Sequence, residues 1–138
     1  MFDFTGKTVL ITGASGALGV ALSAQFAQAG ANTVVAARTQ FDEIAAKIGG
    51  LGVRLDVTSE SDWAEAIART EEHFGPLDIL INNAAYLRVG TTESIPLYEF
   101  RRVVDTNLTG ALLGIRAAAP SMRKAGGGAI VNVNSIAG

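Results

Sequence analysis

Residues 8–19 read Thr-Val-Leu-Ile-Thr-Gly-Ala-Ser-Gly-Ala-Leu-Gly. Four β-prone residues, Thr8 to Ile11, run into Thr12-Gly13. Leu18, Leu22 and Phe26 then recur at a spacing of four, one face of a helix that Gly30 closes. A buried strand, a glycine turn and a helix in that order start a βαβ unit, and the rest of the chain repeats the alternation. Thr33 to Ala37 reads as a second strand, and Phe41, Ile44 and Ile48 stripe a short helix ending at Gly49-Gly50. Val53 to Val57 reads as a third strand. Ser59 and Asp62 form a capping box ahead of a helix with Trp63, Ile67 and Phe74 on its inner face. Gly75-Pro76 ends that helix and Leu77 to Ile81 forms the fourth strand. A loop from Asn82 to about Pro96 leads to one long helix over residues 98–124, with a kink expected at Pro120, and Ile130 to Val133 forms the fifth strand.

Alternating strands and helices with right-handed crossovers give an α/β fold. The expected architecture is a Rossmann-type doubly wound parallel sheet with strand order 3-2-1-4-5, in one domain spanning residues 1–138. Bulk composition agrees. Apolar residues make up 49% of the chain and charged residues 17%, which suits a sheet covered on its faces. A formal net charge of −2 gives no basic stripe for nucleic acid. Cysteine is absent, which excludes a disulfide framework and a catalytic thiol. No apolar run approaches a membrane span, and the start of the chain lacks the pattern of a secretion signal. The expected location is the cytoplasm, with neither membrane nor nucleic acid as partner.

The turn itself carries chemistry. Gly13 permits a tight bend, Gly16 lets backbone approach a phosphate, and Gly19 lets the helix pack closely on the sheet. The helix N-terminus adds N–H groups and a positive dipole end suited to a pyrophosphate, and Ser15 adds a hydroxyl. A purely structural turn is the alternative. Its place between the first strand and the first helix favours nucleotide binding.

With these residues in view, the whole chain resembles the short-chain dehydrogenase/reductase family, on the compact branch. Thr12 to Gly19 is similar to that family's TGxxxGxG turn, except that Ala17 stands at the middle glycine and Gly16 comes one position earlier. The resemblance implies cofactor contacts from Gly13, Ser15, Gly16, Ala17, Leu18 and Gly19. Asn82-Asn83-Ala84-Ala85 resembles the family's NNAG segment, with Ala85 in place of glycine, and implies that Asn83, Ala84 and Ala85 line the ribose site. Asp56 and Val57 match the positions that hold adenine, although Asp56 is also placed to cap the next helix. Ala37 stands where NAD-preferring members carry aspartate, and Arg38 follows it. A guanidinium there would bind a 2′-phosphate, so the expected cofactor is NADP, with NAD second. Gly16 stands where a second basic residue is usual. An ordinary surface arginine is the other reading of Arg38.

For the reaction, the resemblance implies hydride transfer between the nicotinamide and an alcohol or carbonyl substrate. Ser135 matches the serine that holds the substrate oxygen, and Asn107 matches the asparagine that positions a water of the proton relay. Turn chemistry for Ser135 and helix-kink stabilisation for Asn107 are the alternatives. The family's proton donor is a tyrosine with a lysine four residues on. Tyr86 is followed at that spacing by Gly90 and Tyr98 by Arg102, so neither fits. The expectation is therefore a domain truncated after the fifth strand and inactive alone. A non-catalytic dinucleotide-binding module and a half-enzyme completed by another chain are the alternatives. No metal site is expected, His73 lacking partner ligands. Residues 93–114 resemble bacterial hydroxysteroid dehydrogenases, and the long helix implies a homo-oligomer packed through it.

Overall fold

The computed structural model describes residues 1–136; Ala137 and Gly138, the last two of the expected domain, lie outside the described residues. Five strands form one parallel sheet in the order β3-β2-β1-β4-β5, as expected. They are β1 (Thr8–Thr12), β2 (Asn32–Ala37), β3 (Leu51–Arg54), β4 (Ile79–Asn82) and β5 (Ala129–Asn132). The helices are α1 (Ala17–Gln28), α2 (Phe41–Ile48), α3 (Glu60–Phe74), α4 (Leu97–Val104) and α5 (Gly110–Lys124). β1 is central, pairing Thr8 with Asn32 on one side and Val9 with Ile79 on the other.

Side chains of successive strand residues point to opposite faces, and each face has its own core. Leu10, Val34, Ala36, Val53 and Leu80 pack with Trp63 and Ala66 of α3 and Ala118 and Met122 of α5. Val9, Ile11, Val35 and Ile81 face the other way, against Leu22 and Phe26 of α1 and Ile44 and Ile48 of α2. Each fully buried large side chain among them contributes roughly 1.5–3 kcal/mol relative to exposure.

Three expectations shift. The third strand begins and ends earlier than Val53–Val57, because its ladder lasts only as long as β2. Ala37 pairs with Arg54, the Leu55 N–H still donates to the Ala37 carbonyl, and the Asp56 N–H turns to the Asp62 carboxylate. Asp62 is thereby drawn out of the reciprocal capping box; Ser59 Oγ still accepts from the Asp62 N–H at 3.1 Å. The long helix is not one α-helix. A π-helical turn, Asp105–Thr109, separates α4 from α5, and α5 continues through Pro120. Leu18, read on one helical face with Leu22 and Phe26, parts from them and is 51% exposed.

The glycines of α5 decide how this helix sits. A Cβ on Gly110 would lie 2.7 Å from Val57 Cγ2, and one on Gly114 would lie 2.7 Å from the Trp63 ring. Their bare backbone lets α5 approach α3 and the end of β3 within the chain. Trp63 Nε1 donates to the Val57 carbonyl at 3.0 Å, so the same contact fixes the turn after β3. Leu108 and Leu112 point outward and are exposed, as is every residue of β5.

Candidate cofactor cleft

Parallel strands all present their C-terminal ends on one edge of the sheet, and there a cleft of about 400 Å³ opens. Its floor is the turn after β1. Gly13 has φ +60°, and a Cβ on it would lie 2.7 Å from Ala84 Cα. A Cβ on Gly19 would lie 2.4 Å from the Gly13 carbonyl oxygen. Packing alone requires these two glycines. Gly16 is different: its φ of −76° is ordinary and its nearest neighbour would be 3.4 Å from an added Cβ. Nothing inside the protein demands a glycine there, and Gly16 is exposed toward the cleft it lines. It also caps α1 without a side-chain bond, so the first-turn N–H groups have no side-chain acceptor.

The second wall is the segment after β4. Thr12 organises it, a role the sequence reading did not assign. Its Oγ1 donates to the Ile81 carbonyl at 3.4 Å and accepts from the Asn83 N–H at 3.0 Å and the Ala84 N–H at 2.9 Å. Asn83 Nδ2 returns bonds to the Thr12 and Gly13 carbonyls. The strand end, the glycine turn and the Asn-Asn-Ala-Ala segment thus form one hydrogen-bonded unit. A threonine at the end of a strand carries no distinctive sequence signal, which is why its role emerges only in three dimensions.

The third wall comes from the ends of β2 and β3. Ala37 is buried and Arg38 is exposed beside it. Asp56 Oδ1 accepts from the Thr58 N–H at 3.0 Å and from Thr58 Oγ1 at 2.7 Å. Those two bonds are the main reason its carboxyl lies below the usual carboxylate value, with the positive charges of Arg38 and Arg54 assisting. The helix-capping alternative for Asp56 does not hold: Ser59 caps α3, and the Asp56 bonds, both on one oxygen, close the turn before it. All twelve residues expected to touch cofactor line this cleft: Gly13, Ser15, Gly16, Ala17, Leu18, Gly19, Arg38, Asp56, Val57, Asn83, Ala84 and Ala85. Leu18 finds its explanation here as a lip of the cleft. Tyr86, Arg102 and Thr106 also line it and were not anticipated.

Asn107 and Ser135 lie outside that lining. Asn107 sits in the π turn, where its side chain clamps one backbone unit: the Tyr86 N–H donates to Oδ1 at 2.7 Å and Nδ2 donates to the Tyr86 carbonyl at 3.0 Å. Its amide is committed to holding the loop after β4. Ser135 follows β5 on the same C-terminal edge of the sheet and is exposed. Tyr86 is held twice more, its hydroxyl donating to Glu99 at 2.8 Å and its ring lying 3.9 Å beneath the Arg102 guanidinium. Accepting that bond, Glu99 raises the Tyr86 pKa above 10.0, which removes Tyr86 further from proton transfer at neutral pH.

A sequence model described as short chain dehydrogenase matches residues 7–138. The chain belongs to that family. Among short-chain dehydrogenase relatives, a trans-4-hydroxycyclohexanecarboxylate dehydrogenase of Sinomonas cyclohexanicum is 39% identical over 96% of this chain and 56% of its own length. A 3-alpha-(or 20-beta)-hydroxysteroid dehydrogenase of Mycobacterium tuberculosis is 37% identical over 96% of this chain and 53% of its own length. The crystal structure of a short-chain type dehydrogenase/reductase from Mycobacterium marinum superposes with a TM-score of 0.85 at 40% identity, covering 94% of this chain and 56% of that one. The chain spans about half the length of the curated relatives it matches. Short-chain dehydrogenases bind nicotinamide dinucleotides, and no helix among the described residues is long and apolar enough to cross a membrane.

Proposed function

We propose that the chain is the NADP-binding part of an oxidoreductase that moves hydride between the nicotinamide and an alcohol or ketone. The observation that carries this reading is Gly16. It is the one glycine of the turn that internal packing leaves unexplained, and an approaching phosphate accounts for it. The residues of the cleft suit the cofactor from its adenine to the nearer ribose. Free amides at the start of α1 suit the pyrophosphate, Asn83 and Ala84 the nearer ribose, and Asp56 and Val57 the adenine.

The choice of NADP rests on Ala37 and Arg38. A carboxylate at the end of β2 would accept from ribose hydroxyls and repel a 2′-phosphate; a methyl group and a guanidinium do the reverse. Fluorescence titration of the purified chain should give tighter binding of NADPH than of NADH. Tighter NADH binding would refute the assignment.

When bound, the nicotinamide supplies or accepts the hydride. Ser135, beyond β5, is assigned to hold the substrate oxygen. Asn107, whose side chain also keeps the loop after β4 in place, is assigned to position a water of the proton relay. Proton transfer needs a tyrosine whose phenol is poised by a nearby cation, and neither Tyr86 nor Tyr98 meets that need. The 138-residue chain alone should therefore bind cofactor without turnover. Robust carbonyl reduction by it would show that the acid has been misplaced. The names of the two relatives support a ring-borne hydroxyl or ketone as the substrate class. A homo-oligomer is part of the reading, supported by the exposed apolar side chains Phe100, Leu108 and Leu112 along residues 98–124.

A further inference from the structure

A second cavity of about 290 Å³ adjoins the cleft at its adenosine end, and Arg38, Asp56, Arg102 and Thr106 line both. Its remaining walls are Thr58, Tyr98, Arg101 and Asp105. Three guanidinium groups therefore face two carboxylates, and the annex is left with excess positive charge. Arg38, Arg101 and Arg102 take part in none of the ion pairs found among the described residues, so none is neutralised by a direct carboxylate partner. Opposite them, the glycine turn contributes no cation at all.

We infer that Arg102, reaching across from α4, is the second cation for the 2′-phosphate of NADP and shares that group with Arg38. The inference rests on the NADP assignment above and adds to it a residue of a different element. Arg102 is chosen over Arg101 on two grounds. It lines the cleft as well as the annex, whereas Arg101 lines the annex alone. Its guanidinium is also held in advance. It stacks 3.9 Å from the centre of the Tyr86 ring, whose hydroxyl is anchored at Glu99, while Asn107 grips the Tyr86 backbone. Stacking occupies the flat face of a guanidinium and leaves its N–H edge for phosphate oxygens. The cost of ordering a long side chain is met before the ligand arrives.

The test is titration of the chain and its variants with NADPH, NADH, 2′,5′-ADP and 5′-AMP at two salt concentrations. Replacing one phosphate-binding guanidinium removes a charge-assisted contact, so R102Q should weaken NADPH and 2′,5′-ADP about tenfold and leave NADH and 5′-AMP within about twofold. R102K, which keeps the charge, should retain most of the selectivity. R101Q should change NADPH binding less than R102Q, and its effect should fade with salt. Equal weakening of all four ligands by R102Q would place Arg102 on the adenine and overturn the inference. So would R38Q abolishing NADPH preference while R102Q leaves it intact, an outcome under which the NADP assignment survives. If the unaltered chain prefers NADH, the assignment and the inference fall together.

Discussion

Gly13 and Gly16 stand three residues apart and answer to different constraints. Gly13→Ala would force a left-handed backbone on a residue with a Cβ and drive that Cβ into the backbone of Ala84. Gly16→Ala meets neither obstacle. The expected result is that Gly13→Ala lowers stability by roughly 2 kcal/mol or more in urea unfolding, whereas Gly16→Ala unfolds like the parent. Gly16→Ala should still weaken NADPH binding about tenfold, because the added methyl group occupies the phosphate's path. Loss of stability without loss of binding in Gly16→Ala would assign that glycine to the fold alone. Asp56 gives a pH signature at the same scale. Its carboxyl is lowered by the Thr58 bonds, so the ionised form stabilises the fold at neutral pH. That contribution fades as pH falls through the unfolded value near 3.8 and below. Asp56→Asn should flatten the decline of thermal stability between about pH 5 and pH 3. An unchanged profile would show that the Thr58 bonds carry no net stability.

Elements were legible in the sequence to the extent that local signals fix them. Glycine turns and apolar stripes located the five strands and the first three helices, and the strand order followed from right-handed crossovers. The ends of β3 were not legible, because they depend on where β2 stops supplying partners. Nor was the π turn. No glycine or proline marks residues 105–109; the feature belongs with a long-range clamp, Asn107 on Tyr86, that sequence spacing does not reveal. Proline, the visible breaker, lies instead inside α5. The site divides in the same way. Residues read from motifs line the cleft, while Thr12, Tyr86 and Arg102 are positioned by contacts between segments apart in the chain. Asn107→Leu tests the clamp. It leaves the Tyr86 N–H and carbonyl without their partners, so amide exchange in residues 83–90 should quicken at least tenfold while the exchange of β1 stays unchanged. Undisturbed exchange after β4 would show that the clamp is not what orders that loop.

At the scale of the molecule, the cover thins on both faces of the sheet toward β5. Ile130 lies beside Leu80 on the α5 face and Val131 beside Ile81 on the α1 face, and both meet solvent, as does every residue of β5. Together with Leu108 and Leu112 this leaves apolar surface beside an open strand edge, a combination that favours pairing with another chain. Sedimentation of the purified chain should show concentration-dependent self-association, reduced by the double substitution Leu108→Glu and Leu112→Glu. A monodisperse monomer at high concentration would contradict this.

The central position of β1 also sets a timetable. On a ribosome, β1 can pair with β2 after about two dozen further residues, yet its other edge waits for β4, seventy positions downstream. Throughout that interval Val9, Leu10 and Ile11 have unpaired amides and carbonyls along one side of an apolar strand. The vulnerable moment in the life of this fold is therefore during synthesis, before Ile79 to Ile81 emerge to close the middle of the sheet. Slow translation over residues 40–80 would lengthen that exposure, and a holdase that grips extended apolar chain would shorten its consequences.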